Sequence, residues 1–522
     1  MCKRPKRQSR NDEGFGRLLF ISVTSDGRTE RDLFVNVIGY SLPVHIMQGL
    51  PTTPLTPPPP GLTLAHPSSP WKVVRSMLGF VLLVFIIVQV SAVAIFAGIL
   101  DSDLDGDLGP SNPLLTIFGS ACLIPCVVGF TFLRRPRLTH VIRGTESIFG
   151  RTFNMIAPHT AIQSSQPIHV DHHLVRDLSP LEMPPGKQLW WLFFGGVSIS
   201  TLCMFPMLAF GLNIFTGLLF GLVAIPAFVI GFSTPVFAWW STLNAYFGLP
   251  TTRRLAEWML IVGMLSALPA VVINSFLSPI LFSALGFDTL DPMSLGFGMI
   301  LFLSAPIGEE LCKAAAILVL ARFIDSPRRG FQIGFTVGLG FALLENSMYV
   351  LMAFFEGEYS AISFPMISLL RGIGSIPAHG LWTGISGYAI GSYLCNRDAP
   401  PIQPGYQVTT EQTAPITNQW MLVNTSGEIV KQSATEFSEP IRVPRWLCSS
   451  KEGAFPLPKK PIFGIGLAML FHSFWNGSSW LLGVVFIDAN VWLYVFFVFG
   501  WLVFLIVGLW LITRKILPTA LS

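Results

Sequence analysis

Four groups of residues in the second half of this 522-residue chain have the types and spacing to do chemistry. Glu309-Glu310-Leu311-Cys312-Lys313 places two carboxylates and an ammonium together, and Phe341-Ala342-Leu343-Leu344-Glu345 sets an aromatic one helical turn from a carboxylate. Pro377-Ala378-His379-Gly380 carries an imidazole, and His472-Ser473-Phe474-Trp475-Asn476 spaces an imidazole and a carboxamide by one turn. On a helix, Glu309 and Lys313 stand at i, i+4 and Glu310 at i, i+3 from the same lysine, so one ammonium can neutralise and hold either acid. Adjacent carboxylates sharing one cation suit proton transfer by a general base. Each group also has a plainer reading. The Glu-Glu-Lys trio could simply fix helix packing, Glu345 with Asn346 could be an interhelical hydrogen-bond clamp, and His379 could be a packed core histidine.

The elements that must position these residues are apolar. The chain is 51% hydrophobic and only 12% charged, against about 25% charged in soluble domains. Its apolar runs exceed twenty residues, enough to cross about 30 Å of hydrocarbon as helices. The expected fold class is therefore all-α, a polytopic membrane helical bundle of about ten transmembrane helices, at roughly 74–100, 114–133, 188–211, 214–240, 255–284, 294–323, 331–355, 365–395, 461–486 and 490–513. Basic loops (Arg134, Arg135 and Arg137; Arg322, Arg328 and Arg329; Arg514 and Lys515) alternate with acidic ones (Asp101–Asp107; Asp288 and Asp291; Glu356 and Glu358). The positive-inside rule then puts both termini in the cytosol.

This divides the chain into a disordered basic, Pro-rich cytosolic tail (1–70), two spans (71–137), a cytosolic loop (138–187) and two more spans (188–250). A catalytic core follows in two parts (251–395 and 461–515), separated by a cytosolic insertion (396–460). A start at Met47 is a side expectation, and no secretory signal peptide is evident. His169-Val170-Asp171-His172-His173 in the first loop reads as a solvated cluster rather than a metal site. Trp420–Val423 with Glu428–Val430 reads as a small β-hairpin turning at Ser426-Gly427. The seven cysteines are scattered and form no disulfide framework. The net charge of +4 means little as a total, because its distribution among the loops is what matters; no nucleic-acid partner is expected.

Depth makes the four polar groups coherent. Ionised side chains at mid-bilayer cost roughly 2.5–3.5 kcal/mol each on insertion scales, and here they crowd into the sixth to ninth spans. Counting about 1.5 Å per residue from the span ends brings Glu309, Glu345 and His379 near mid-membrane, with His472 somewhat nearer the cytosol. A proton or ion transporter would also place acids and histidines at the midplane, but no inverted repeat is visible. A non-catalytic membrane scaffold with a polar core is the third reading.

In order and spacing, the four motifs resemble the PrsW family of intramembrane proteases, related to the CAAX prenyl endopeptidases and the bacteriocin-processing membrane proteases. The resemblance covers about 294–490. It implies an intramembrane endopeptidase whose catalytic residues are Glu309, Glu310, Lys313, Glu345, His379, His472 and Asn476, with Glu309 favoured as the base. Related prenyl endopeptidases carry histidine where this chain has Glu345. His472 and Asn476 would donate to the oxyanion. A zinc version would use Glu345, His379 and His472 as ligands with water in the fourth position, although no H-E-x-x-H is present. The implied partners are the lipid bilayer and a membrane protein or lipid-anchored peptide as substrate. The implied location is the bacterial inner (cell) membrane, with an internal eukaryotic membrane as the alternative.

Overall fold

The computed structural model of the chain describes residues 20–23, 33–36, 69–100, 111–125, 128, 138–157, 160–176, 181–211, 213–249, 251–354, 360–396, 420–424, 453–487 and 490–521. Helices occupy the expected apolar runs: α1 (Trp71–Leu100), α2 (Pro113–Ala121), α3 (Gly186–Phe210), α4 (Ile214–Phe247), α5 (Arg253–Ala284), α6 (Leu295–Val319), α7 (Pro327–Phe354), α8 (Ser360–Cys395), α9 (Pro461–Val485) and α10 (Val491–Leu521). Among the described residues, seven helical stretches are long and apolar enough to cross a membrane, in α1, α3, α5, α6, α7, α8 and α10. The chain is a polytopic helical membrane protein. Of the other three expected spans, α4 and α9 have the length, at 34 and 25 residues, while α2 has nine.

Local chemistry sets the helix ends. Asn213 and Thr216 form a reciprocal capping box at the start of α4, which stops at Gly248 in the left-handed conformation (φ 57°). Thr252 accepts from the Leu255 N–H to begin α5, and Ser294 does the same for α6 through the Phe297 N–H.

Three of these helices contain a π-turn, at Ile273–Leu277 in α5, Ile300–Ser304 in α6 and Arg371–Ser375 in α8. Proline stands two residues beyond each, as Pro279, Pro306 and Pro377. Proline lacks an N–H and its ring crowds the carbonyl four residues back. The wider turn relieves that crowding: the residue just before each proline donates five residues back, Ser278 to Ile273, Ala305 to Ile300 and Ile376 to Arg371. One extra residue rotates everything beyond it by about 100°.

α7 is the most enclosed span, with 72% of its central stretch buried against 22–44% in the other six. Glycines let its neighbours approach to backbone contact, the means by which membrane helices associate tightly. A Cβ on Gly338 would collide with the His379 carbonyl of α8, one on Gly334 with the Thr383 carbonyl, and one on Gly340 with the Leu260 carbonyl of α5. Gly338→Val should therefore destabilise the protein by about 1–3 kcal/mol or more and displace His379. A lowered melting temperature in detergent, set beside Gly79→Val, where no atom lies within 4 Å of the new Cβ, checks this.

The fold departs from an all-α expectation. Residues 138–176, expected as an irregular loop, form the antiparallel strands β3 (Leu138–Ala157) and β4 (Thr160–Arg176). Both are rich in β-branched residues such as Val141, Ile142, Ile162 and Ile168, which suit a pleated surface. Trp420–Asn424 (β5) is a strand as expected, but it pairs with Thr160–Ser164 of β4. The remainder of the expected hairpin, 425–430, lies outside the described residues. In the N-terminal segment, Phe20–Val23 (β1) pairs antiparallel with Leu33–Asn36 (β2). His169 is exposed on β4, and the side chains of His172 and His173 lie outside the described set.

Candidate active site

Helices α6, α7, α8 and α9 bring their polar residues to one buried cluster, with Lys313 at its centre. Its ammonium donates to Glu310 Oε1 at 2.8 Å, to Glu309 Oε2 at 3.3 Å and to His379 Nδ1 at 2.9 Å. It also sits 3.9 Å from the centroid of the Phe341 ring. Three donors and a cation–π contact account for the whole ammonium, and no part of Lys313 or Glu310 is exposed.

Hydrogen bonding assigns the imidazole protons. Because the ammonium can only donate, His379 Nδ1 is the acceptor and Nε2 carries the proton, which lies 2.9 Å from Glu345 Oε2. His472 Nδ1 donates to Glu310 Oε1 at 3.1 Å, an acceptor-only carboxylate oxygen. This leaves His472 Nε2 as a free lone pair, 3.8 Å from Glu309 Oε2. Trp382, one turn along α8 from His379, stacks on the His472 ring with centroids 4.9 Å apart and fixes its plane.

The two glutamates of the pair thus have different surroundings. Glu310 is bonded to Lys313 and His472 and is wholly enclosed. Glu309 is 7% exposed, meets Lys313 at the longer distance and faces the free nitrogen of His472. Its other oxygen, Oε1, accepts a 3.0 Å bond from Asn274 Nδ2 on α5. Asn274 lies outside the four motifs. Its signal was a lone carboxamide in the apolar run Val271–Leu277.

Glu345 sits between Arg371 and His379. Arg371 donates to Glu345 Oε1 at 2.8 Å and to Asn346 Oδ1 at 2.9 Å, with its guanidinium 3.8 Å from the Tyr349 ring centroid. Asn346 in turn donates to the Phe232 carbonyl of α4. Glu345 is therefore the link between Arg371 and His379. Asn476 lies one turn beyond His472, half-buried, and among the described residues no hydrogen bond ties it to the cluster.

The three-residue group compact enough for a metal ion is Glu309, His379 and His472, whose ligand atoms lie within 4.8 Å of one another. Glu309 thus stands in this group where Glu345 was expected, while Glu345 is bound by Arg371 and lies against His379. One carboxylate and two imidazoles are a known catalytic zinc set. Two observations fit a dication: His472 Nε2 has a free lone pair, and with neutral imidazoles three carboxylates face only two cations, Lys313 and Arg371. His379 could join as third ligand by releasing one of its two present partners.

No curated protein and no solved structure matches the chain. Residues 251–406 match the PrsW family intramembrane metalloprotease model. This segment holds α5 to α8 and with them Asn274, Glu309, Glu310, Lys313, Glu345, Arg371 and His379, while His472 and Asn476 on α9 lie beyond it. Over the helices that carry most of the cluster, the chain is thus similar to the PrsW family of intramembrane proteases, and it is a peptidase.

Proposed function

We propose that the chain cuts a peptide bond of a membrane-associated protein, with Glu309 activating the water. The observation that carries this is the 3.8 Å separation of Glu309 Oε2 from His472 Nε2. That spacing is too long for a direct hydrogen bond and short enough for one oxygen atom to bridge. Each of the two atoms has a lone pair able to accept from a water placed between them. As the water oxygen bonds to the substrate carbonyl carbon, Glu309 takes its proton. The same proton passes to the leaving nitrogen as the C–N bond breaks.

Glu310 and Lys313 do not meet the substrate in this scheme. Glu310 orients His472, and Lys313 holds both carboxylates and the tautomer of His379. Glu345 and Arg371 fix His379 from the other side. Asn476 supplies a donor for the oxyanion. His472, with Nε2 unprotonated, serves first as an acceptor and becomes a donor only after it takes up a proton. When bound, a zinc ion held by Glu309, His379 and His472 would supply a water activated at neutral pH.

Ten spans with both termini cytosolic, and a bacterial inner membrane as host, complete the reading. The alternation of basic and acidic loops supports the topology. The depth of the cluster supports a substrate that is itself embedded in or anchored to the bilayer.

The test is cleavage of quenched fluorescent membrane-span peptides by the purified full chain in liposomes, with Glu309→Gln as the control. Failure of the wild type to cut, or cutting that survives Glu309→Gln, rejects this function and leaves a transporter or scaffold. Metal dependence is checked separately by elemental analysis of wild type beside a His379→Ala/His472→Ala double variant. The expected result is near one zinc per chain lost in the variant, whereas equal content in both removes the zinc version.

A further inference from the structure

Asn274 belongs to α5, outside the four motifs, yet it is the neighbour that holds the free oxygen of Glu309. It lies within the π-turn Ile273–Leu277. The adjoining π-turn of α6, Ile300–Ser304, is linked to α5 by a hydrogen bond between the Ser278 and Ser304 hydroxyls. The carboxamide is orientated unambiguously. A carboxylate only accepts, so the Nδ2 group must face Glu309 Oε1, and the bond is 3.0 Å long.

That bond fixes where the other end of the amide goes. Oδ1 is buried and has no hydrogen-bond partner among the described residues. A buried acceptor left without a donor is costly, and the side chain cannot swing away to relieve it without releasing Glu309. Gly308, the residue preceding Glu309, lets α6 pack closely against this part of α5. A Cβ there would lie 3.6 Å from Asn274 Oδ1 and only 2.9 Å from Ile273 Cγ2. A free acceptor rigidly held beside the base is placed to take a donor that arrives with the substrate.

We propose that Asn274 is a substrate-contacting residue of this site: its amide group holds Glu309 while its carbonyl oxygen accepts a main-chain N–H of the peptide being cut. This rests on the peptidase reading. A peptide bond presents an N–H on each side of the scissile carbonyl, so an acceptor beside the base orients the backbone in the way that catalysis by positioning requires. One side chain then couples binding to chemistry, through opposite ends of the same amide.

The two ends can be separated. Asn274→Leu removes both donor and acceptor, whereas Asn274→Asp keeps the shape and an acceptor but sets a second acid against Glu309, so that the two share one proton. The probe is a quenched single-span peptide in liposomes that wild type cuts and Glu309→Gln does not. A series of its analogues has successive backbone N–H groups replaced by ester oxygen.

In wild type, one ester near the scissile bond should raise KM about fivefold to tenfold, the weight of one hydrogen bond. Asn274→Leu should show the same rise with the all-amide peptide and no further rise with that ester. Asn274→Asp should keep KM within about twofold while kcat falls at least about tenfold, because a proton shared with the new acid leaves Glu309 a poorer base. Ester effects that are the same in wild type and Asn274→Leu overturn the proposal, as does a raised KM in Asn274→Asp. If Asn274→Leu fails to fold, the isosteric Asn274→Asp carries the test alone. The absence of any peptide cut by wild type and spared by Glu309→Gln overturns the peptidase reading itself, and this inference with it.

Discussion

Glu309→Gln is expected to lower peptide cleavage by about 10²–10⁴-fold while leaving the fold in place. Glutamine has the same shape, and its carbonyl oxygen can still accept from Asn274 Nδ2, the 3.0 Å bond that orients the side chain. Lys313 loses only its longer contact, at 3.3 Å, and keeps Glu310 and His379. What disappears is the carboxylate that takes the proton. The neighbouring substitution should behave differently. Glu310→Gln removes a wholly enclosed charge on which both Lys313 and His472 depend, so activity and melting temperature should fall together. Initial rates and thermal unfolding of both variants in the same detergent separate the cases. Equal loss of stability in the two would contradict the different roles drawn for them.

The second large effect concerns Lys313. Lys313→Met should destabilise the folded state by about 3–5 kcal/mol, the range for breaking a buried ion pair by removing one partner. The reason lies in what remains: Glu310, with no exposed surface, would keep His472 as its one bonded neighbour. Glu309 would lose its ammonium, and His379 Nδ1 its donor. The double variant Lys313→Met/Glu310→Gln removes the stranded charge as well. It should recover most of the stability and none of the activity, since His472 and His379 stay unfixed. Thermal unfolding of single and double variants decides the matter. A single variant as stable as wild type would mean that Lys313 is not the hub of the cluster.

How much of this could be seen in the sequence depends on the range of the interaction. The pairing of Lys313 with Glu309 and Glu310 was legible because helix periodicity alone puts residues three and four apart on one face. The meeting of Glu309, His379 and His472 was legible in outline from their depth along successive spans. Two details were not legible for a common reason. Motif and depth place Glu345 and Asn476 near the cluster, but neither says anything about a partner such as Arg371, which binds Glu345 Oε1.

The sequence by itself determined the membrane class, the positions of the helices and the chemical types available at mid-span, because apolar run length and 3.6-residue periodicity are local properties. Only the tertiary structure decided which atoms face one another. Three proline-set π-turns rotate the following segments by about 100°, and Gly334, Gly338 and Gly340 set how closely α5, α7 and α8 approach. The β3–β4–β5 sheet is likewise a tertiary result, joining Thr160–Ser164 to Trp420–Asn424 across the intervening helices α3 to α8. Contacts between segments far apart in the chain depend on how every intervening helix packs, and no local pattern encodes that.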